Sequence, residues 1–179
     1  MRLRSVLFIV FTCTAVHVHA QWMDQSTGQA LPDTKSRKSS GVTGASLVLT
    51  GDAASFIKEW TSSPESHAPR VPRLGPIRRG DSVWALLFFT GCGTEKAICD
   101  ASVDFTVLNP DGSVYAEQPG NKVSTQPSGK QGIIYLSQSY LQIRIEPQDP
   151  LGRYRVLALF KQGSGNSPIQ LESEFEVLP

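Results

Sequence analysis

The chain has 179 residues, a formal net charge of +1 and 18% charged residues, which fits one globular domain. Proteins that bind nucleic acids need a clustered positive face for the phosphates, and the nearly balanced charge of this chain does not indicate one. We therefore expect no nucleic-acid partner. Three cysteines and three histidines are a poor supply of metal ligands, and we expect no metal and no other cofactor.

Residues 1–20 have the layout of a secretory signal peptide. Two arginines form a basic start, residues 6–11 are an apolar run, and Ala20 ends a small-residue cleavage context. The run is too short to span a bilayer, and no later segment reaches that length. We expect cleavage after Ala20, a periplasmic or secreted protein and no integral membrane span.

The same N-terminal segment could instead be a lipoprotein signal, with cleavage just before Cys13 and a lipid on that cysteine. Thr12 and Val10 stand where a lipoprotein signal has a small residue and a leucine, so cleavage after Ala20 is favoured.

The predicted mature chain begins with two segments of different character. Residues 21–44 are polar, without periodicity, and are expected to form a flexible leader. The single domain is then expected over residues 45–179. It begins with one strand at 45–51 and a short helix at 52–60, capped by Asp52. Four prolines mark residues 62–80 as an extended connector.

The rest of the chain is predicted to be β-structure. Apolar or alternating runs are separated by turn residues and contain no helical period. This pattern predicts a mainly β fold, an antiparallel β-sandwich of about seven strands. The runs cover residues 82–90, 101–108, 113–117, 132–136, 140–146, 153–161 and 169–178.

Two motifs resemble bacterial immunoglobulin-like domains. The first is the hairpin turn "NPDGSVY" at 109–115, and the second is the Gly-x-Tyr-x-Val strand within "LQIRIEPQDPLGRYRVLALF". The likeness covers residues 82–178 at the level of the fold. It implies an immunoglobulin-like sandwich and a secreted bacterial origin, and it brings no catalytic residues with it.

Cys92 and Cys99 are the cysteines that remain after cleavage at Ala20. A zinc site would need about four ligands, and a redox pair normally has two intervening residues rather than six. An even number of cysteines in an exported chain favours a disulfide. We expect it to fasten a β-hairpin tip and to contribute about 2.5 kcal/mol.

Two strands are apolar on both faces, residues 83–89 and 156–160. The outward set is either Trp84, Leu86 and Phe88 or the alternate residues of that strand, together with Leu157 and Leu159. It needs a cover or forms an exposed patch. We expect helix 52–60 to cover it, with Trp60 largely buried. A partner-binding patch at Trp84, Leu86 and Phe88 is the alternative.

The last strand alternates regularly between apolar and polar residues. Its outward positions carry Glu172, Glu174 and Glu176, an acidic stripe. We interpret the stripe as a solvated face, with a site for a cationic partner as the alternative.

Catalytic groups are scarce in the predicted mature chain. His67 is its one histidine, and it lies in the connector without a nucleophile motif. Asp100 and Asp104 share a strand face, which is also the ordinary solvated face. The tripeptide Arg79-Gly80-Asp81 precedes a strand, where it is predicted to form a turn rather than an adhesion site.

The connector also places Arg70, Arg73, Arg78 and Arg79 on an extended backbone, where they form a candidate surface for an acidic partner. We therefore predict a non-catalytic extracytoplasmic binding or adaptor protein of the envelope-assembly, inhibitor or immunity type. Its partner would be another extracytoplasmic protein. A fimbrial or surface structural subunit is one alternative, and a hydrolase using paired carboxylates is another.

Overall fold

The part of the chain that the structure describes forms two β-sheets that pack face to face, with one helix against the outside of the first sheet. The computed structural model describes residues 22–23, 27, 29–64, 69–93, 96–130, 132–163 and 167–179. Its elements in chain order are β1 (Arg37–Ser40), β2 (Thr43–Thr50), α1 (Ala53–Ser62), β3 (Ile77–Arg78), β4 (Ser82–Thr90), β5 (Ala101–Leu108), β6 (Val114–Lys122), β7 (Tyr135–Leu136), β8 (Leu141–Arg144), β9 (Gly152–Gln162) and β10 (Ile169–Leu178).

The first sheet has the order β1-β2-β4, and the far side of β4 pairs with β8 and then with β7. The second sheet has the order β3-β10-β9-β5-β6. All neighbours are antiparallel except β3 and β10, which are parallel.

The main core lies between the two sheets. Alternate side chains of β5 and β9 are buried, because successive residues of a strand face opposite sides of its sheet. They meet the buried faces of β2, β4 and β8 from the first sheet, and β10 completes the layer with Ile169, Leu171, Phe175 and Val177.

The mainly β prediction is confirmed, but the described chain has ten strands rather than about seven. Seven of the ten, β4 to β10, correspond to the predicted runs after residue 80, and β2 corresponds to the strand expected at 45–51. The two strands without a predicted counterpart are β1, whose residues are all polar, and β3, which has two residues. Neither segment has a hydrophobic period that would reveal it as a strand. Pairing with β2 makes β1 a strand, and pairing with β10 does the same for β3. The β3–β10 pairing also makes the second sheet mixed rather than purely antiparallel.

Part of the predicted leader is also structured. It contains β1 and the first residues of β2. Trp22 is half-buried, its Nε1 donates to the Lys38 carbonyl at 3.4 Å, and its own carbonyl accepts from Leu31 N at 2.6 Å. A side chain on Gly44 would collide with the Trp22 ring. These contacts fasten the start of the described chain to the first sheet.

The predicted helix is present and ends two residues later than expected. Asp52 is its N-cap, and its carboxylate accepts from Ser55 N at 3.1 Å. At the other end Ser63 N donates to the Glu59 carbonyl at 3.0 Å, just before Pro64. Among the described residues, no helix is long and apolar enough to cross a membrane.

Candidate binding surface around the connector

The disulfide between Cys92 and Cys99 is formed, with Cα atoms 5.3 Å apart. The expectation that it fastens a hairpin tip is wrong. Cys92 follows β4 and Cys99 precedes β5, and these strands belong to different sheets. The bond therefore closes the loop that carries the chain from one sheet to the other, and both cysteines are buried there.

Helix α1 covers part of the outer face of β4, as predicted. Phe56 and Trp60 contact Phe88, with ring centroids 5.9 and 5.3 Å apart. Phe88 is 6% exposed and Leu86 is fully buried. Both are thereby removed from the candidate binding surface, because no partner could reach them without displacing the helix.

Trp60 and Trp84 are both more exposed than the predicted helix cover implies. Trp60 is half-buried rather than largely buried. Trp84 is half-buried too and contacts Tyr140, which is 40% exposed, with ring centroids 5.5 Å apart. Trp84 is thus the accessible member of the predicted apolar set.

Leu157 and Leu159 are not covered by α1. They lie on the outer face of the second sheet, whereas the helix packs on the first. Both are half-buried. Each lies between polar residues, since Leu157 is opposite Glu172 of β10 and Thr106 of β5, and Leu159 is opposite Gln170 and Asp104. That face remains solvated, as the alternation in β10 predicted.

The connector holds the four candidate arginines in two different ways. Arg79 is engaged within the fold, since its Nε and one of its terminal nitrogens donate to the Asp149 carbonyl at 3.0 and 2.7 Å. Arg70, Arg73 and Arg78 are exposed. Their side chains form no ion pair or hydrogen bond with any other described residue.

Asp149 is the centre of the polar cluster that holds Arg79. Its carboxylate accepts from the Tyr115 hydroxyl and from Glu146 N, both at 2.7 Å. Burial raises the pKa of the Tyr115 phenol, and the hydrogen bond to Asp149 raises that pKa further. The phenol therefore stays protonated and continues to donate.

The Arg79-Gly80-Asp81 tripeptide forms the turn from β3 into β4, as the sequence predicted. Gly80 has a φ of +92°, which favours glycine. The Asp81 carboxylate accepts from Arg78 N at 2.8 Å. Both charged side chains of the tripeptide are thus engaged within the fold, Asp81 by Arg78 N and Arg79 by the Asp149 carbonyl.

Hydrophobic side chains every three residues anchor the connector. Val71 packs on the cluster beneath α1, Leu74 packs against the main core, and Ile77 is buried within it. A three-residue spacing is that of a polyproline II segment, and it places Arg70 and Arg73 together on another side. The same spacing was visible in the sequence and could have identified the inward residues.

A shallow cleft lies on each side of Leu74, Gly75 and Pro76. One, of about 360 Å³, is bordered by Arg73, Asp52 and Asp81. The other, of about 270 Å³, is bordered by Glu174, Phe175 and Glu176 of β10. We define the connector face as the surface formed by the exposed Arg70, Arg73 and Arg78.

The residues considered for catalysis are not brought together as a site. Asp104 accepts from Lys161 Nζ at 2.6 Å and from Gly120 N at 2.7 Å, and both bonds lower the pKa of its carboxyl. A general acid needs the opposite shift. His67 lies outside the described residues, among which no group of three potential metal ligands occurs.

No known protein family matches the chain, and no curated protein matches it. Among solved structures, it is similar to a family 123 glycoside hydrolase from Clostridium perfringens, at 10% identity and a TM-score of 0.42. The match covers 75% of this chain but 27% of that enzyme. A Niemann-Pick type C2 protein from Japanese carpenter ant is similar at 8% identity and a TM-score of 0.38, with 74% and 89% covered. Likenesses this distant carry no functional argument.

Proposed function

We propose that this protein is a non-catalytic binding module outside the cytoplasm, and that its connector face holds an acidic surface of a partner protein. The observation that carries the proposal is the exposure of Arg70, Arg73 and Arg78 without a counter-ion among the described residues. An arginine can bind a carboxylate through two parallel hydrogen bonds, which gives orientation as well as attraction.

The connector backbone beneath the three exposed arginines is held in place by contacts within the fold. Val71, Leu74 and Ile77 fasten the connector, and Asp149 holds Arg79 beside it. A partner would therefore order arginine side chains but little of the backbone beneath them, which lowers the entropic cost of association.

The extracytoplasmic setting rests on two features. The first is the predicted signal peptide over residues 1–20, and the second is the disulfide, a bond typical of oxidising compartments.

An immunoglobulin-like sandwich remains part of the proposal. The Tyr154 hydroxyl donates to the Pro150 carbonyl, four residues upstream, at 2.9 Å. Immunoglobulin-like domains have a comparable tyrosine corner. This contact supports the resemblance seen in the Gly-x-Tyr-x-Val strand, although the arrangement of ten strands in two sheets extends beyond the seven of the simplest such domains.

The test is charge reversal on the connector face. We expect the triple variant Arg70→Glu, Arg73→Glu, Arg78→Glu to lose cross-links to its partner in the native compartment by about tenfold or more, because like charges oppose docking. The matched control is Arg144→Glu, an exposed arginine of β8 that pairs with Glu146 at 3.7 Å on the first sheet. Equal cross-linking by the triple variant and the wild type would show that the connector face is not the binding surface.

A further inference from the structure

β10 has a short stretch of unpaired edge. On one side β10 pairs with β9 along nine residues. On the other side β3 pairs only with Val177 and Leu178. Further back along the strand, Glu172 N donates to the Lys35 carbonyl at 2.8 Å. Ser173–Glu176 lie between these two contacts, a span of about 13 Å at the rise of a β-strand.

The direction of the backbone groups follows from the Lys35 contact. Glu172 N points away from β9, and residues two apart in a strand point the same way. The N–H and C=O of Glu174 therefore face the open edge. No described residue pairs with them, because β3 begins to pair only at Val177.

A shallow cleft between the connector and β10 lies along this edge. The cleft of about 270 Å³ is bordered there by Leu74, Gly75, Phe175 and the two glutamates Glu174 and Glu176. Phe175 faces the core with 5% exposure, whereas Glu174 and Glu176 are exposed on the outer face. An added strand would thus meet apolar atoms on one side and carboxylates on the other.

Lys35 shows which side chain suits this edge. Its carbonyl accepts from Glu172 N, and its ammonium group pairs with the Glu172 carboxylate at 3.3 Å. One lysine residue thus satisfies both the backbone and the side chain of a glutamate of β10. Glu174 and Glu176 follow on the same face two and four residues further on. The Glu174 carboxylate already pairs with the exposed Arg153 at 3.4 Å, which shows again that cations suit this face, while the Glu174 backbone is unpaired.

We propose that the Ser173–Glu176 edge of β10 binds an extended segment of a partner protein, with lysine or arginine alternating with small apolar residues. The segment would add a short strand between Lys35 and β3, its backbone bonding to Glu174 and its cationic side chains lying beside Glu174 and Glu176. Main-chain bonds provide affinity and alternate side chains provide selectivity in this mode of recognition. This site goes beyond the connector face and does not depend on its arginines.

The experiment uses the isotope-labelled mature chain and three blocked pentapeptides. The first is Lys-Val-Lys-Val-Lys, the second has Glu for every Lys, and the third is the lysine peptide with N-methylated valines and lysines. We expect the lysine peptide to shift the amide signals of Ser173–Glu176 and to slow Glu174 amide exchange. The other two should bind about tenfold more weakly or worse, since each lacks one set of contacts.

Variants complete the test. Glu174→Pro removes the edge-facing N–H without removing a bond to β9, so binding of the lysine peptide should fall about tenfold. Glu174→Gln keeps the N–H and should lose less. If the proline variant fails to fold, the N-methylated peptide tests the same backbone bond on the unaltered chain. The Arg70→Glu, Arg73→Glu variant should bind the lysine peptide at least as well as the wild type, which separates this site from the connector face.

Four results would overturn the proposal. They are no signal change along β10 at millimolar peptide, equal binding of the N-methylated peptide, slow Glu174 exchange in the free chain, and concentration-dependent pairing of β10 with a second copy. Slow exchange in the free chain would mean that the connector itself closes the edge.

Discussion

Gly91 shows how a single residue controls the exit of β4 from the first sheet. Its φ is +67°, and a Cβ there would collide with the carbonyl oxygen of Val42. The Thr43 hydroxyl donates to the Gly91 carbonyl at 3.1 Å, so the loop before β2 packs directly against this turn. Glycine is required here both for its backbone angle and for its lack of a side chain.

We expect Gly91→Ala to lower the free energy of unfolding by roughly 3–5 kcal/mol, because steric collision adds to left-handed strain. Gly120→Ala is the matched control, since Gly120 has a φ of +71° and open space around it. The control should lose about 1–2 kcal/mol from strain alone. Urea unfolding of both variants measures the difference, and similar losses would show that the Val42 contact is unimportant.

Asp104 makes a pH-dependent contribution to stability. Its pKa lies below the ordinary 3.8, first because Lys161 donates to it and next because Gly120 N does. A carboxyl with a lowered folded-state pKa stabilises the fold above its unfolded pKa and loses that effect as pH falls through its folded pKa.

Asp104→Asn should therefore cost about 0.5–1 kcal/mol at neutral pH, a small value because the Lys161 side chain is 42% exposed. The difference from the wild type should shrink as pH drops below 3.8. Chemical unfolding between neutral and acidic pH tests this. A difference that stays constant over that range would contradict the assigned role.

At the scale of the elements, α1 acts as a cover for β4. Phe56 is 1% exposed and touches both Trp60 and Phe88, with ring centroids 5.7 and 5.9 Å apart. Phe56→Ala should therefore cost about 3–5 kcal/mol, as truncation of buried aromatic residues does.

Trp60→Ala should cost less, about 2–3 kcal/mol, because Trp60 is half-buried. Glu59→Ala is the control on the exposed side of the helix and should be nearly neutral. Thermal unfolding with circular dichroism ranks the three variants. A Trp60 effect equal to that of Glu59 would show that the helix covers β4 through Phe56 alone.

The disulfide is an element-scale constraint of a different kind. Cys92→Ala with Cys99→Ala should lower the free energy of unfolding by about 2.5 kcal/mol, through the greater entropy of the unfolded chain. Mass spectrometry of the non-reduced wild type should detect no free thiol at either position. Equal stability of the variant and the oxidised wild type would mean that the bond constrains a loop that is already rigid.

At the scale of the whole molecule, periodic segments were predictable and neighbour-dependent ones were not. The alternation in β5 and β10 identified their buried faces correctly, because period two is a property of each strand alone. β1 and β3 could not be found this way, since only their pairing with β2 and β10 makes them strands. The sequence also did not show that the consecutive strands β4 and β5 belong to different sheets. The disulfide was therefore predicted correctly, but its place in the loop between the two sheets was not.

The connector face was also predicted only in part, because the sequence shows which residues are charged but not which of them the fold engages. Composition revealed the connector arginines, and the structure then separated Arg79, held by Asp149, from the three exposed ones. Leu86 and Phe88 were assigned to a binding patch or to the helix cover, and only packing decided between them. The open edge of β10 had no signal in the sequence, because it depends on where β3 begins to pair.

The pairing of β10 also governs the order in which this chain can fold. β10 lies beside β9, contacts Lys35 near the start of the described chain, and fixes Ile77 of β3. These partners are separated from β10 by up to 137 positions, and such non-local pairings slow folding. A nascent chain that lacks residues 169–178 leaves Lys35 and Ile77 without their neighbour and the core without Leu171 and Phe175. Closure of the second sheet must therefore wait for synthesis of β10, and the last strand to be made is the one that joins both ends of the described chain.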